Sequence, residues 1–107
     1  EIPEIILPPE LAGNYSGWHL YVIRVKNPEQ RLPLMNHLKQ NGIGVNFHYP
    51  LVYSHPYYRQ HGYQNTHCPE AEKYHQTTIT FPLHTQLTKK EVNYIGQTIK
   101  QFFTSAK

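Results

Sequence analysis

Hydrophobic positions along this chain change period several times, and each change predicts an element. Residues 18–25, WHLYVIRV, crowd aromatic and β-branched side chains together, as strands do. Trp18, Leu20, Val22 and Arg24 share one face of that strand, and His19, Tyr21, Ile23 and Val25 share the other. Both faces are largely apolar, which predicts a central strand covered on both sides. Leu34, Met35 and Leu38 then recur at helical spacing and predict a helix over 31–40. Pro33 fits its first turn, where a missing N–H costs nothing, and Gly42 supplies the left-handed stop. Ile43, Val45 and Phe47 alternate with Gly44, Asn46 and His48, the period of a half-buried strand over 43–48, which would complete a β-α-β unit. If the apolar set faces a core, Asn46 and His48 face away from it.

The rest of the chain is punctuated by proline. Pro50 ends the second strand pattern, and Tyr53, His55, Pro56, Tyr57 and Tyr58 follow in an irregular run. Residues 56–62 suit a short helical turn. A short helix is predicted over 69–76, with Pro69 at its first position and Glu70 and Glu72 near its positive end. A third strand spans 77–81 and stops at Pro82. Thr88 and Glu91 form a capping box, and Val92, Ile95, Ile99 and Phe102 hold the stripe of a final helix. Residues 1–17 read as a lead-in or interdomain segment: Pro3, Pro8, Pro9 and Gly13 leave little room for a regular element. Residues 18–107 are then one α+β domain, a small three-stranded sheet with helices mainly on one face.

Composition narrows the chemistry. Lys and Arg exceed the acidic residues by only three, the acids are all Glu, and the positive charge is dispersed, which argues against nucleic acid as a partner. The single Cys68 excludes an internal disulfide framework, no apolar run approaches a membrane span, and the N-terminal residues lack the pattern of a signal peptide. A soluble cytoplasmic protein is expected. The first residues also begin without methionine, as a fragment would.

Several constellations invite chemistry. His61 and His67-Cys68 match no zinc spacing, so no metal is expected. Cys68 would need a base and an electropositive site to act as a nucleophile, and a lone inert thiol is the competing reading. The glutamates form no pair set against an apolar pocket. Tyr57, Tyr58, Tyr63 and Tyr74 could stack bases, but without a basic groove such residues more often pack a loop or a subunit interface. His48 is the best single candidate, at a strand end facing away from the core with Tyr49 and His55 near in sequence. A histidine so placed either meets a ligand or bonds a loop carbonyl.

The order of these pieces resembles the carboxy-terminal part of the DegT/DnrJ/EryC1/StrS family of pyridoxal-phosphate-dependent sugar aminotransferases. The resemblance is carried by WHLYVIRV, by RLPLMNHLKQNGIGVNFHYPLVYSHPYY, and by HGYQNTHCPEAEKYHQTTITFPLHTQLTKKEVNYI, over residues 18 to about 103. Within the family, HYPLVYSHPYY and CPEAEKY look most like the branch that aminates a UDP-linked 4-keto sugar on the way to pseudaminic acid. The resemblance implies the small C-terminal domain of a fold type I aminotransferase, homodimeric and cytoplasmic. Such an enzyme moves an amino group, typically from glutamate, to a keto sugar nucleotide in surface polysaccharide or nonulosonic acid biosynthesis. It implies substrate-binding roles for His48, Tyr49 and His55. It places the Schiff-base lysine and the carboxylate for the cofactor's ring nitrogen in a large domain, so that no catalytic residue falls in this chain and the chain alone is expected to be inactive. The alternative is a stand-alone interaction module without catalysis.

Overall fold

The computed structural model describes residues 1–105. Its sheet has three antiparallel strands in the order β1 (Ile5–Ile6), β2 (Tyr21–Val25), β3 (Thr78–Phe81). Register pairs Ile5 with Val25 and Ile6 with Arg24 on one side of β2, and Tyr21, Val22, Ile23 and Arg24 with Phe81, Thr80, Ile79 and Thr78 on the other. The strand expected to be central is central. Two expectations are corrected. The proline-rich opening contributes a strand of its own, and residues 43–48 form no strand but a single bridge, Asn46 to Thr80. No β-α-β unit therefore results. Asn46 and Thr80 exchange both backbone bonds, at 3.2 and 2.7 Å, and the chain then turns away from β3.

The alternation within 43–48 is real even without a ladder. Ile43 and Val45 are buried and Phe47 packs on the core's edge, while Gly44 and Asn46 are exposed. These side chains join Ile23, Val25, Ile79 and Phe81 from the sheet and Leu34, Met35 and Leu38 from helix α1 (Arg31–Gln40). Ile99 and Phe103 of the last helix complete the core. α1 ends as expected. Gly42 lies at φ +75°, its N–H donates to Lys39 O, and the Ile43 N–H donates to Leu38 O. Together these bonds satisfy the last carbonyls of the helix while Ile43 follows Leu38 into the core.

After α1 the chain makes a one-turn helix α2 (Pro56–Tyr58) that continues as a wider turn over Arg59–Tyr63, then α3 (Pro69–Thr77) and α4 (Lys89–Ser105). The capping box at α4 is reciprocal: Thr88 Oγ1 accepts from Glu91 N–H at 3.2 Å, and the Glu91 carboxylate accepts from Thr88 N–H at 2.7 Å. Its buried stripe runs through Ile99 and Phe103, with Phe102 only half-buried and Val92 exposed. Tyr94 Oη donates to Asn41 O, and a His37 ring nitrogen meets Thr98 O at 3.2 Å, so α1 and α4 pack side by side on the core face. The second face of β2 is less covered than expected. Val22 and Arg24 there are half-buried, and α3 reaches this face through Tyr74 and Thr77.

Candidate functional site

Period two along β3 divides its side chains. Ile79 and Phe81 enter the core, whereas Thr78 and Thr80 point to the second face of the sheet. The Asn46–Thr80 bridge brings His48 over that second face, two residues beyond the paired position. Its Nδ1 lies 3.0 Å from Thr80 Oγ1, and Thr80 is itself buried. A threonine hydroxyl both donates and accepts, so it holds either neutral imidazole tautomer in place. Among the described residues Nε2 makes no hydrogen bond, which leaves it as a donor or acceptor for another molecule.

The next residue is held differently. The His48–Tyr49 peptide is cis, and the two rings meet edge to face with centroids 4.7 Å apart. Tyr49 O accepts from His75 Nδ1 at 3.2 Å. His75 in turn packs edge-on against Phe47, and the Arg31 guanidinium lies 5.0 Å over the other ring while donating to His75 O. The corner carrying His48 and Tyr49 is thus pinned from three elements, β3, α1 and α3. The Tyr49 side chain itself remains 68% exposed. Thr80, His75 and Arg31 went unnoticed as supports in the sequence. The alternation of TTITF was the one local signal that could have pointed to Thr80.

His55, the third candidate, makes no hydrogen bond or ring contact with His48 or Tyr49. It sits between the turn Val52–Ser54 and α2, exposed, and among the described residues its ring makes no hydrogen bond or ring contact. Tyr53 next to it is the better-connected group. Its hydroxyl donates to Glu72 Oε1 at 2.5 Å and accepts from Cys68 N–H at 3.2 Å. Desolvation, then this bond to a carboxylate, raises the Tyr53 pKa. The same bond, helped by the Cys68 N–H and by His67, lowers that of Glu72. His67 turns its Nδ1 toward Glu72 at 3.5 Å, and the Cys68 thiol is free and exposed. Tyr57, Tyr58 and Tyr63 pack ring to ring, with His61 stacked on Tyr57 at 4.2 Å, while Tyr74 stands apart beneath Arg24. Among the described residues no group of three His, Cys, Asp or Glu is placed to hold a metal, and no helix is long and apolar enough to cross a membrane.

Residues 1–100 match the sequence profile of the DegT/DnrJ/EryC1/StrS aminotransferase family. The chain belongs to that family. SpsC, a spore coat polysaccharide biosynthesis protein of Bacillus subtilis, is 29% identical over 99% of this chain and 28% of its own length. Spr1654 of Streptococcus pneumoniae, a candidate sugar aminotransferase solved in its PLP form, superposes with TM-score 0.86 and 31% identity. That alignment covers 97% of this chain and 27% of the other. PseC of Helicobacter pylori, an aminotransferase of pseudaminic acid biosynthesis, superposes with TM-score 0.74 and 25% identity over 81% of this chain and 24% of its own. The chain spans about a quarter of the length of the curated relatives it matches.

Pyridoxal phosphate, which the family implies, needs a lysine for covalent attachment and an acid for its ring nitrogen. The residues described here do not fit those two roles. No Asp occurs in the chain, and Lys26, Lys39, Lys73, Lys89, Lys90 and Lys100 are all exposed, none of them hydrogen-bonded to His48 or Tyr49. Glu72, the acid best held by neighbours, is committed to Tyr53 and Cys68.

Proposed function

We propose that this chain is the small-domain part of an aminotransferase that passes an amino group from glutamate to a nucleotide-linked keto sugar, with the second face of the sheet meeting the sugar nucleotide. The observation that carries the reading is the His48–Tyr49 corner. A half-buried imidazole is fixed through Nδ1 by Thr80, and its Nε2 is left for a ligand. The exposed Tyr49 ring beside it offers an amphipathic wall of the kind that packs a sugar and bonds its hydroxyls. In this reading His48 orients the sugar or the donor, and Tyr49 and His55 line the same rim, His55 from the adjoining loop. Lysine attachment and the acid opposite the ring nitrogen belong to residues other than these, and a homodimeric, cytoplasmic enzyme is the setting. Resemblance of HYPLVYSHPYY and CPEAEKY to the pseudaminic acid branch, together with the likeness to PseC, favours a UDP-linked 4-keto sugar as acceptor.

The test uses the protein that contains this chain, incubated with glutamate and a UDP-linked 4-keto sugar or a dTDP-linked one, with products read by mass spectrometry. An amino sugar formed from the UDP substrate supports the reading, and one formed only from the dTDP substrate moves the acceptor class. No amino sugar from either overturns it. Borohydride reduction of the 107-residue chain with added cofactor should give only scattered, non-saturating labelling of its exposed lysines, with no single lysine modified stoichiometrically.

A further inference from the structure

Beside the corner just described, the second face of β2 forms the floor of a separate groove. Leu20, Val22 and Arg24 lie along it, Ile6 and Pro8 wall one side, and Tyr74 of α3 closes the other, around a volume of about 420 Å³. We propose that this groove binds a small carboxylate with an apolar body, held by Arg24. This does not rest on the aminotransferase reading, because it uses neither His48 nor Tyr49.

The argument starts from an uncompensated charge. Arg24 projects from the central strand and is half-buried, and among the described residues no carboxylate pairs with it and no acid lines the groove. A cation set among apolar walls is costly unless an anion joins it. The guanidinium is also held in one orientation. Its Nε donates to Thr77 Oγ1 at 3.1 Å, and that hydroxyl is itself fixed by donating to Lys73 O at 2.9 Å. Tyr74 covers one face of the guanidinium, with its ring centroid 5.8 Å from Cζ. Among the described residues both Nη atoms are without partners. Two parallel N–H donors on a fixed plane match the two oxygens of a carboxylate. The same geometry disfavours a phosphate dianion, since among the described residues no lysine, second arginine or histidine lines the groove to neutralise the second charge. The remaining walls are aliphatic and proline carbon, and the volume falls in the usual range for small-molecule sites, roughly 300–1,000 Å³.

Hexanoate is a suitable probe, with hexan-1-ol and inorganic phosphate as comparisons, in ¹H–¹⁵N NMR titrations of the 107-residue chain. The expected result is saturable shifts at the Leu20, Val22 and Arg24 amides and the Arg24 Nε–H with hexanoate alone. Arg24→Gln should weaken binding by about tenfold or more, and Arg24→Lys should recover only part of it. Should Arg24→Gln fail to fold, the three probes on the unaltered chain decide the matter. Hexan-1-ol binding as tightly as hexanoate, phosphate binding more tightly, or hexanoate shifts absent or located elsewhere would each overturn the proposal.

Discussion

Thr80→Val separates the two faces of β3 in one experiment. Thr80 and Ile79 are neighbours, 6% and 0% exposed, yet they point to opposite sides of the sheet. Ile79→Ala removes methylene and methyl groups from the centre of the core and leaves a cavity, at a cost of about 2–5 kcal/mol. In a domain of this size each kcal/mol lowers Tm by roughly 4–8 °C, so about 3 kcal/mol corresponds to a fall of ~12–24 °C. Thr80→Val keeps the shape and the backbone pair with Asn46, and it removes one buried hydroxyl together with its bond to His48. Loss of that bond costs about 0.5–1.5 kcal/mol, and removing the buried hydroxyl's desolvation offsets part of it, leaving a net change of about 1 kcal/mol or less. Half-buried His48 Nδ1 turns to water instead. Urea denaturation followed by circular dichroism measures the stability of both variants, and ¹⁵N spectra of the His48 ring report its tautomer and environment. The expectation is a large loss for Ile79→Ala with the His48 ring signals unchanged, and a small loss for Thr80→Val with those signals displaced. Equal losses, or His48 signals indifferent to the Thr80 hydroxyl, would refute the division of faces on which the candidate site rests.

Two further outcomes follow from local geometry. Gly42→Ala places a β-carbon on a backbone at φ +75°, so it should destabilise by about 1–2 kcal/mol in a urea melt, although nothing lies within 4 Å of that carbon. Glu91 has its pKa lowered by the Thr88 side-chain and backbone bonds. Its folded value therefore lies below its unfolded one, and its contribution is present above the unfolded value and lost as pH falls through the folded value. The stability gap between the native chain and Glu91→Gln should accordingly shrink as melts are repeated at progressively more acidic pH, and a gap that widens on acidification would contradict the capping geometry.

Elements that announce themselves locally were recoverable from sequence. Leu34, Met35 and Leu38 with Gly42 define α1 and its stop, and Thr88 with Glu91 defines the start of α4, because caps and stripes act within a few residues. Strand pairing is another matter. Ile5 and Ile6 carry no alternation long enough to read, and they become β1 only because Val25 and Arg24, far along the chain, present an open edge. Residues 43–48 carry the alternation in full but gain a single bridge, since hydrogen-bond partners are set by where β3 runs and not by the pattern of the segment itself. The same limit applies to the site. His48 and Tyr49 could be singled out from their place after an apolar alternation, and they do meet. Nothing local reveals that Thr80 and His75 support them, because those relations span from 26 to 32 residues.

The claim at the centre of this account is that the second face of the sheet meets the sugar nucleotide through His48. The direct measurement is the steady-state kinetics of His48→Ala in the protein that contains this chain, with a UDP-linked 4-keto sugar and glutamate, alongside a urea melt of the same variant. Removal of one orienting hydrogen bond worth about 1–3 kcal/mol predicts a fall in kcat/KM for the sugar of roughly 5- to 150-fold, with the variant still folded after losing about 1–3 kcal/mol for the unpartnered Thr80 hydroxyl. Unaltered kinetics, or a loss of activity that merely tracks a loss of folded protein, would contradict it.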